Sequence, residues 1–263
     1  MKKIIAIVLV LMLAMTALVV NAKDAGADLE TVKSSGKLVI ATSPDFPPFE
    51  NLEGGKVVGI EIEIMQIVAE KLGVELVIEQ MDFDSVLPGI VAGKFNVGVS
   101  GITITEARKK NVLFTDPYYI AAQAIVVPEG SAITCKADLA GKKISVQTGT
   151  TAESVSMEEG LYKISAFTAN NDAEAALVTG KVDAWVIDNL TAKQMVESYN
   201  AEHSDKLVIL SENMTEEPYA FACAFGSEDL VAEMNVILKG LIDDGTMQAI
   251  FEKYGEAYSA PLA

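Results

Sequence analysis

Hydrophobic and polar positions fall into alternating blocks along the chain. Residues 4–20, IIAIVLVLMLAMTALVV, are apolar apart from Thr16 and follow Lys2 and Lys3. A basic start, an apolar run and the small-x-small stretch Val20-Asn21-Ala22 predict a signal peptide over 1–22, cleaved after Ala22. An uncleaved anchor helix is the other reading, because the run approaches a membrane span in length. No Cys lies near that site, which argues against a lipid anchor. Residues 23–35 read as a polar lead-in.

From Lys37 onward, strand patterns alternate with helical ones. Leu38–Ala41 reads as a short apolar strand that ends in the turn-rich stretch from Thr42 to Pro48. Over Glu61–Leu72, Ile62, Met65, Ile67, Val68 and Leu72 recur at helical spacing, and Gly73 stops the helix. Val74–Glu79 is the next strand, Asp84 caps a helix over Ser85–Ala92, and Phe95–Ser100 is a buried strand. This βαβαβ succession predicts a mostly parallel sheet flanked by helices.

A second block begins at Lys142, with a strand over Lys143–Gln147, a turn at Thr148–Thr151 and a helix over Ala152–Gly160. A further helix, Asp172–Thr179, leads into a strand over Val182–Ile187. Val91–Ser100 aligns without gaps on Val178–Ile187: a helix end, Gly-Lys, a short polar residue, then a hydrophobic strand. Pro117-Tyr118 and Pro218-Tyr219 bracket the second block and suggest paired crossover strands. The expected organisation is α/β and two-lobed. Residues 36–118 open lobe one, 119–218 form lobe two with hinge strands at its ends, and 219–263 return to lobe one.

Composition narrows the function. Of 263 residues, 20 are basic and 37 acidic, a formal charge of -17 that would repel phosphate backbones, so no nucleic-acid partner is expected. One His (His203) and two Cys (Cys135, Cys223) give no zinc-site spacing, so neither a metal nor another cofactor is expected. The two Cys are expected as free thiols, because a bridge would cross the hinge region.

Candidate chemistry gathers at strand ends, where open α/β sheets bind ligands. Ser100 and Gly101 are followed by Thr103, Thr105 and Arg108, a set of hydroxyls, backbone N–H groups and a guanidinium suited to a carboxylate. Gln147 leads into Thr148-Gly149-Thr150-Thr151, another anion-friendly turn, and the strand over Val182–Ile187 ends at Asp188, an acceptor for an ammonium. Together these groups complement an α-amino-acid zwitterion. Each has a plainer reading: Arg108 beside Lys109 and Lys110 as a solvated charge, Asp188 as a helix cap, Phe46 and Phe83 as core.

The stretches Ala41–Glu50, Gly59–Glu63, Met81–Phe83, Gly101–Arg108, Phe114–Tyr119 and Gln147–Thr151, in this order, resemble the polar amino-acid-binding proteins of ABC importers. The resemblance spans roughly residues 36–257 and implies a type II venus-flytrap, the hinged periplasmic-binding-protein fold. It implies that Arg108 pairs with the ligand carboxylate, helped by Thr103 and the Thr151 backbone, and that Asp188 pairs with the ammonium, helped by Ser100 or Gly101. Phe46 and Phe83 would flank the ligand side chain, and Ser43, Gln147 and Ile187 fall where relatives vary with side-chain choice. Some basic-amino-acid binders carry an Asp where Ser43 stands. Asp45, Glu50 and Glu61 keep acid nearby without a definite place against the ligand. A polar or cationic amino acid is expected over an acidic one.

The implied activity is a monomeric, non-enzymatic receptor outside the cytoplasm, in the periplasm or at the cell surface, that hands its ligand to ABC permease subunits. A secreted dehydratase-like enzyme on the same fold and a detached sensory domain are the alternatives. An enzyme needs a general acid or base in the cleft, and His203 lies outside every matched stretch.

Overall fold

The computed structural model describes residues 28–160 and 162–261. The expected signal peptide lies outside the described residues. Within the polar lead-in expected over residues 23–35, Leu29–Ser35 forms a helix. Asp28 caps it by accepting the Thr31 N–H at 2.7 Å, and Gly36 ends it with φ 68°. The helix buries Val32, and the Leu29 N–H reaches the Asp229 carboxylate near the chain's C-terminal helices.

Two five-stranded sheets organise the rest. In the first, Lys37–Thr42 lies between Glu75–Gln80 and Val97–Gly98, all parallel. Ala222–Cys223 and Leu113–Phe114 extend that sheet antiparallel. In the second, Lys143–Gln147 lies between Lys163–Phe167 and Ala184–Asp188, again parallel, and Gln123–Pro128 and Leu207–Ile209 add antiparallel strands. Each sheet therefore has a parallel βαβ centre and an antiparallel edge contributed by distant sequence. Of the strand expected over Phe95–Ser100, Val97–Gly98 is regular strand, flanked by the Asn96 N–H on Val39 O at 2.8 Å and the Val99 N–H on Ala41 O at 2.9 Å. Beyond Gly98 the backbone turns into the site.

The repeated Gly-Lys frame has the same physical role in both lobes. Gly93 (φ 67°) and Gly180 (φ 70°) take the left-handed turn after a helix. The short polar residue that follows then pins the central strand: Asn96 Oδ1 accepts the Val39 N–H at 2.7 Å, and Asp183 Oδ2 accepts the Lys143 N–H at 2.8 Å. Their own N–H groups return the bond, Asn96 to Val39 O at 2.8 Å and Asp183 to Lys143 O at 2.7 Å.

Outside both sheets, Tyr119–Ala121 pairs antiparallel with Glu217–Tyr219. An aromatic core lies beside this pair: Tyr118 stacks on Phe221 at 4.8 Å, and Phe49 packs edge-on to Tyr219 at 5.2 Å. The helix Ile60–Leu72 buries Ile60, Ile64, Met65, Val68 and Leu72 against the first sheet. It starts at Gly59, where a Cβ would stand 2.2 Å from the Phe49 carbonyl oxygen, so only glycine fits. Among the described residues, no helix is long and apolar enough to cross a membrane.

Candidate functional site

The ends of the parallel strands from both lobes face one another across a narrow cavity. Asp45, Phe46, Phe83, Ser100, Gly101, Thr103 and Arg108 line it from one side, and Gln147, Thr150, Thr151 and Asp188 from the other. Of the ligand-site candidates from the sequence, Phe46, Phe83, Ser100, Gly101, Thr103, Arg108, Gln147, Thr150, Thr151 and Asp188 gather here, whereas Ser43, Thr105 and Ile187 are not in the lining. Ser43 turns aside: its hydroxyl donates to Asp45 Oδ1 at 3.0 Å and its N–H to Ser100 Oγ at 3.1 Å.

Arg108 is not a freely solvated charge. Thr105 Oγ1 accepts its N–H at 3.1 Å and starts the short 3-10 turn Arg108–Lys110. Nη1 donates to Thr103 O at 2.9 Å, and Nη2 crosses to Gly149 O on the other lobe at 3.1 Å. The guanidinium lies 5.6 Å from the Phe83 ring centre, in cation–π range. Burial lowers its pKa and the carboxylates of Glu217 and Asp188 oppose that shift, so it stays charged. Two backbone carbonyls take one N–H on each terminal nitrogen, which leaves three of its five donors for an anion.

Asp188 occupies the cap position of the helix Asn189–Glu202, yet its side chain makes no capping bond. Oδ1 accepts instead from Gln123 Nε2 at 2.9 Å, and that amide also meets Thr151 Oγ1 at 3.2 Å. Burial raises the Asp188 pKa to about 7, with the Glu217 carboxylate adding to the rise; Tyr219, Gln123 and Arg108 act in the opposite direction. The Tyr219 hydroxyl, buried beside this carboxyl, has no hydrogen-bond partner of good geometry. A buried carboxyl held by the Gln123 amide and beside the Tyr219 phenol is a suitable acceptor for a cationic group.

The floor requires Gly101, whose φ is +53° and whose Cβ would stand 2.6 Å from the Phe46 ring. Across the cavity, Thr150 Oγ1 accepts the Glu153 N–H as the cap of Thr151–Glu159. The Thr151 N–H, at the first position of that helix, meets no protein acceptor among the described residues. It supplies an exposed donor at a helix start, which suits a carboxylate.

Asp45 is the lining residue that sequence reasoning left unplaced. Its carboxylate accepts from Gln147 Nε2 at 3.2 Å and from the Asn170 N–H at 2.7 Å, and burial raises its pKa. Gln123, Tyr219 and Glu217 also act on the site without having been singled out. Gln123 opens a strand of the second sheet, and Glu217 and Tyr219 lie on the strand paired with Tyr119–Ala121, where the sequence pattern signals only burial.

Two facing α/β lobes with polar strand ends around a closed cavity define a type II periplasmic-binding-protein fold. Residues 38–257 match the profile of the bacterial extracellular solute-binding proteins, family 3, and the chain belongs to that family. It is 31% identical over 231 residues to the L-cystine-binding protein TcyJ of Escherichia coli K12, covering 86% of this chain and 85% of that one. It is 30% identical over 250 residues to the arginine-binding extracellular protein ArtP of Bacillus subtilis, covering 93% and 96%. It superposes on the arginine-bound form of a truncated ArgBP from T. maritima with a TM-score of 0.76 at 38% identity, covering 81% of this chain and 99% of that truncated one. Members of this kind are solute receptors rather than enzymes, which agrees at the family level with the receptor expectation.

Proposed function

We propose that this protein captures an α-amino acid with a cationic side chain, arginine foremost, between its two lobes and presents it to an ABC permease. The charge count of the cavity carries this reading. The lining holds one guanidinium, Arg108, and two carboxyls, Asp45 and Asp188. A zwitterion uses Arg108 for its carboxylate and Asp188 for its ammonium, which leaves Asp45 as a surplus acid for a positive side chain. Thr103 and the Thr151 N–H assist at the carboxylate, and Ser100 and Gly101 at the ammonium. Phe46 and Phe83 hold the aliphatic stem, and Gln147 works with Asp45 at the distal end. An acidic ligand would meet Asp45 with like charge. The arginine-binding relative and the arginine-bound neighbour support the same ligand class.

The lobes are taken to divide at about residues 118 and 219, with Tyr119–Ala121 and Glu217–Tyr219 as the hinge. The receptor acts outside the cytoplasm as a monomer. Calorimetry with arginine, lysine, cystine, glutamine and glutamate tests the reading. Arginine should bind tightest and glutamate not at all; preference for cystine or glutamine over arginine would replace the cationic assignment. A ligand recovered with altered mass would move the protein to the enzyme reading.

A further inference from the structure

Beneath the cavity floor lie two carboxyl groups that touch no ligand position. Glu50 and Glu61 are both wholly buried, and neither has a Lys or Arg among its hydrogen-bond partners. Main-chain bonds hold their segments together, with the Ile60 N–H on Pro48 O and the Glu61 N–H on Phe49 O. Two unpaired anions in such a place would be strongly destabilising.

The partners say how the charge is shared. Glu61 accepts the Gly101 N–H on Oε2 at 3.1 Å and the Tyr118 hydroxyl on Oε1. It also lies in the first turn of the helix Ile60–Leu72, where the dipole favours an anion. Glu50 Oε1 accepts the Ser100 hydroxyl at 2.8 Å, but Glu50 Oε2 is buried with no donor directed at it and faces Glu61. One proton on Glu50 Oε2, donated to Glu61, completes every bond in the cluster.

We propose that Glu50 stays protonated at neutral pH and that the Glu50–Glu61 pair, sharing this one proton, positions the ligand-facing Ser100 and Gly101. Burial and the Glu61 charge both push the Glu50 carboxyl well above the ordinary range, and Asp45 is a further charge that faces it. Tyr118 is the other titratable group on Glu61, and burial raises its phenol too, so it remains a donor. Tyr118 directly precedes the strand Tyr119–Ala121, so the pair joins the floor of the site to the segment on which the lobes would turn. Both glutamates are positioning residues: Ser100 and Gly101 meet the ligand, and the pair decides where they stand.

Two measurements test this. The infrared difference spectrum of wild type minus Glu50→Gln at neutral pH should show a protonated-carboxyl stretch; its absence overturns the proposal. In calorimetry with arginine, Glu50→Leu should weaken binding by about tenfold or more, because the Ser100 hydroxyl and Glu61 both lose a partner. Glu50→Gln should restore affinity to within about threefold, since its amide accepts from Ser100 and donates to Glu61. Glu61→Gln should not be tolerated in the same way, because Gly101 and Tyr118 donate to different oxygens of Glu61 and the Gln NH2 would face one of those donors. Equal loss in Glu50→Gln and Glu50→Leu overturns the shared proton. The affinity arm rests on the proposed ligand class, whereas the infrared arm does not. If wild type binds no amino acid, the functional reading falls and the spectrum alone decides for or against the pair, as it does if Glu50→Leu fails to fold.

Discussion

Asp45 of the first lobe accepts the backbone N–H of Asn170 in the second at 2.7 Å. The same carboxylate lines the cavity and takes the Gln147 amide at 3.2 Å. One acid thus both bridges the lobes and supplies the surplus negative charge of the site. The two roles separate by substitution. Asp45→Asn keeps an oxygen for the Asn170 N–H but removes the charge. Arginine affinity should fall by about tenfold or more, while glutamine affinity changes little, as calorimetry with both ligands would show.

Arg108 is predicted to carry carboxylate recognition. Arg108→Ala should cost at least about 2 kcal/mol of binding. Arg108→Lys should not rescue it, because an ammonium cannot reach Thr103 O and Gly149 O and still present a fork to the ligand. Unchanged affinity in either variant would remove Arg108 from the site.

Asp188 sets a pH dependence. Its folded pKa of about 7 lies above the unfolded carboxylate value. The folded protein therefore holds the extra proton between the two values. Its contribution to unliganded stability is fully present at low pH and declines as pH rises through about 7. Binding an ammonium demands the ionised form, so capture should release a proton below pH 7. Affinity should fall by up to about tenfold for each further pH unit lost. Calorimetry in buffers of different ionisation enthalpy counts that proton directly. Asp188→Asn should abolish the release and weaken binding. It should not lower unliganded stability at pH 8, and should raise it, because no capping bond is lost and a buried charge is removed.

The thiols should differ in reactivity. Cys135 is partly exposed, whereas Cys223 is buried, and burial pushes its thiol up to about 12. Alkylation of the native, unreduced protein should add one group, at Cys135, and denaturation should expose the second. A single addition after denaturation without reductant, or none, would contradict two free thiols.

Lobe closure should be visible in solution. Arg108 reaches Gly149 and Asp45 reaches Asn170, so the closed arrangement depends on contacts that a bridging ligand would reinforce. Small-angle scattering should report a smaller radius of gyration on adding arginine, and an unchanged radius at saturation would exclude hinge closure.

Much of this was legible in local sequence. The order of strands and helices follows from periods of two and 3.6, and Gly73, Gly93 and Gly180 mark helix ends because each takes a left-handed φ that other residues resist. The matched frames at Asn96 and Asp183 reflect one local device used twice. Ser100, Gly101, Arg108, Gln147 and Asp188 could be singled out because polar residues directly after parallel strands collect at one end of a sheet. Other features were beyond local pattern. The helix at Leu29–Ser35 has a single buried residue, too little periodicity to reveal it. Asp188 reads equally as a cap or a ligand group until the absent capping bond is seen. Asp45 and Asn170, or Glu50 and Glu61 with Ser100 and Tyr118, are far apart along the chain or carry no motif. Their pairing, burial and protonation arise only when two lobes and a returning strand bring them within hydrogen-bond distance. Local sequence therefore determined which elements form and where polar strand ends fall, because propensity and periodicity act over a few residues. Tertiary structure alone decided which acids share a proton, which one bridges the lobes and which one titrates near neutrality, because desolvation and charge proximity depend on what folds against each group.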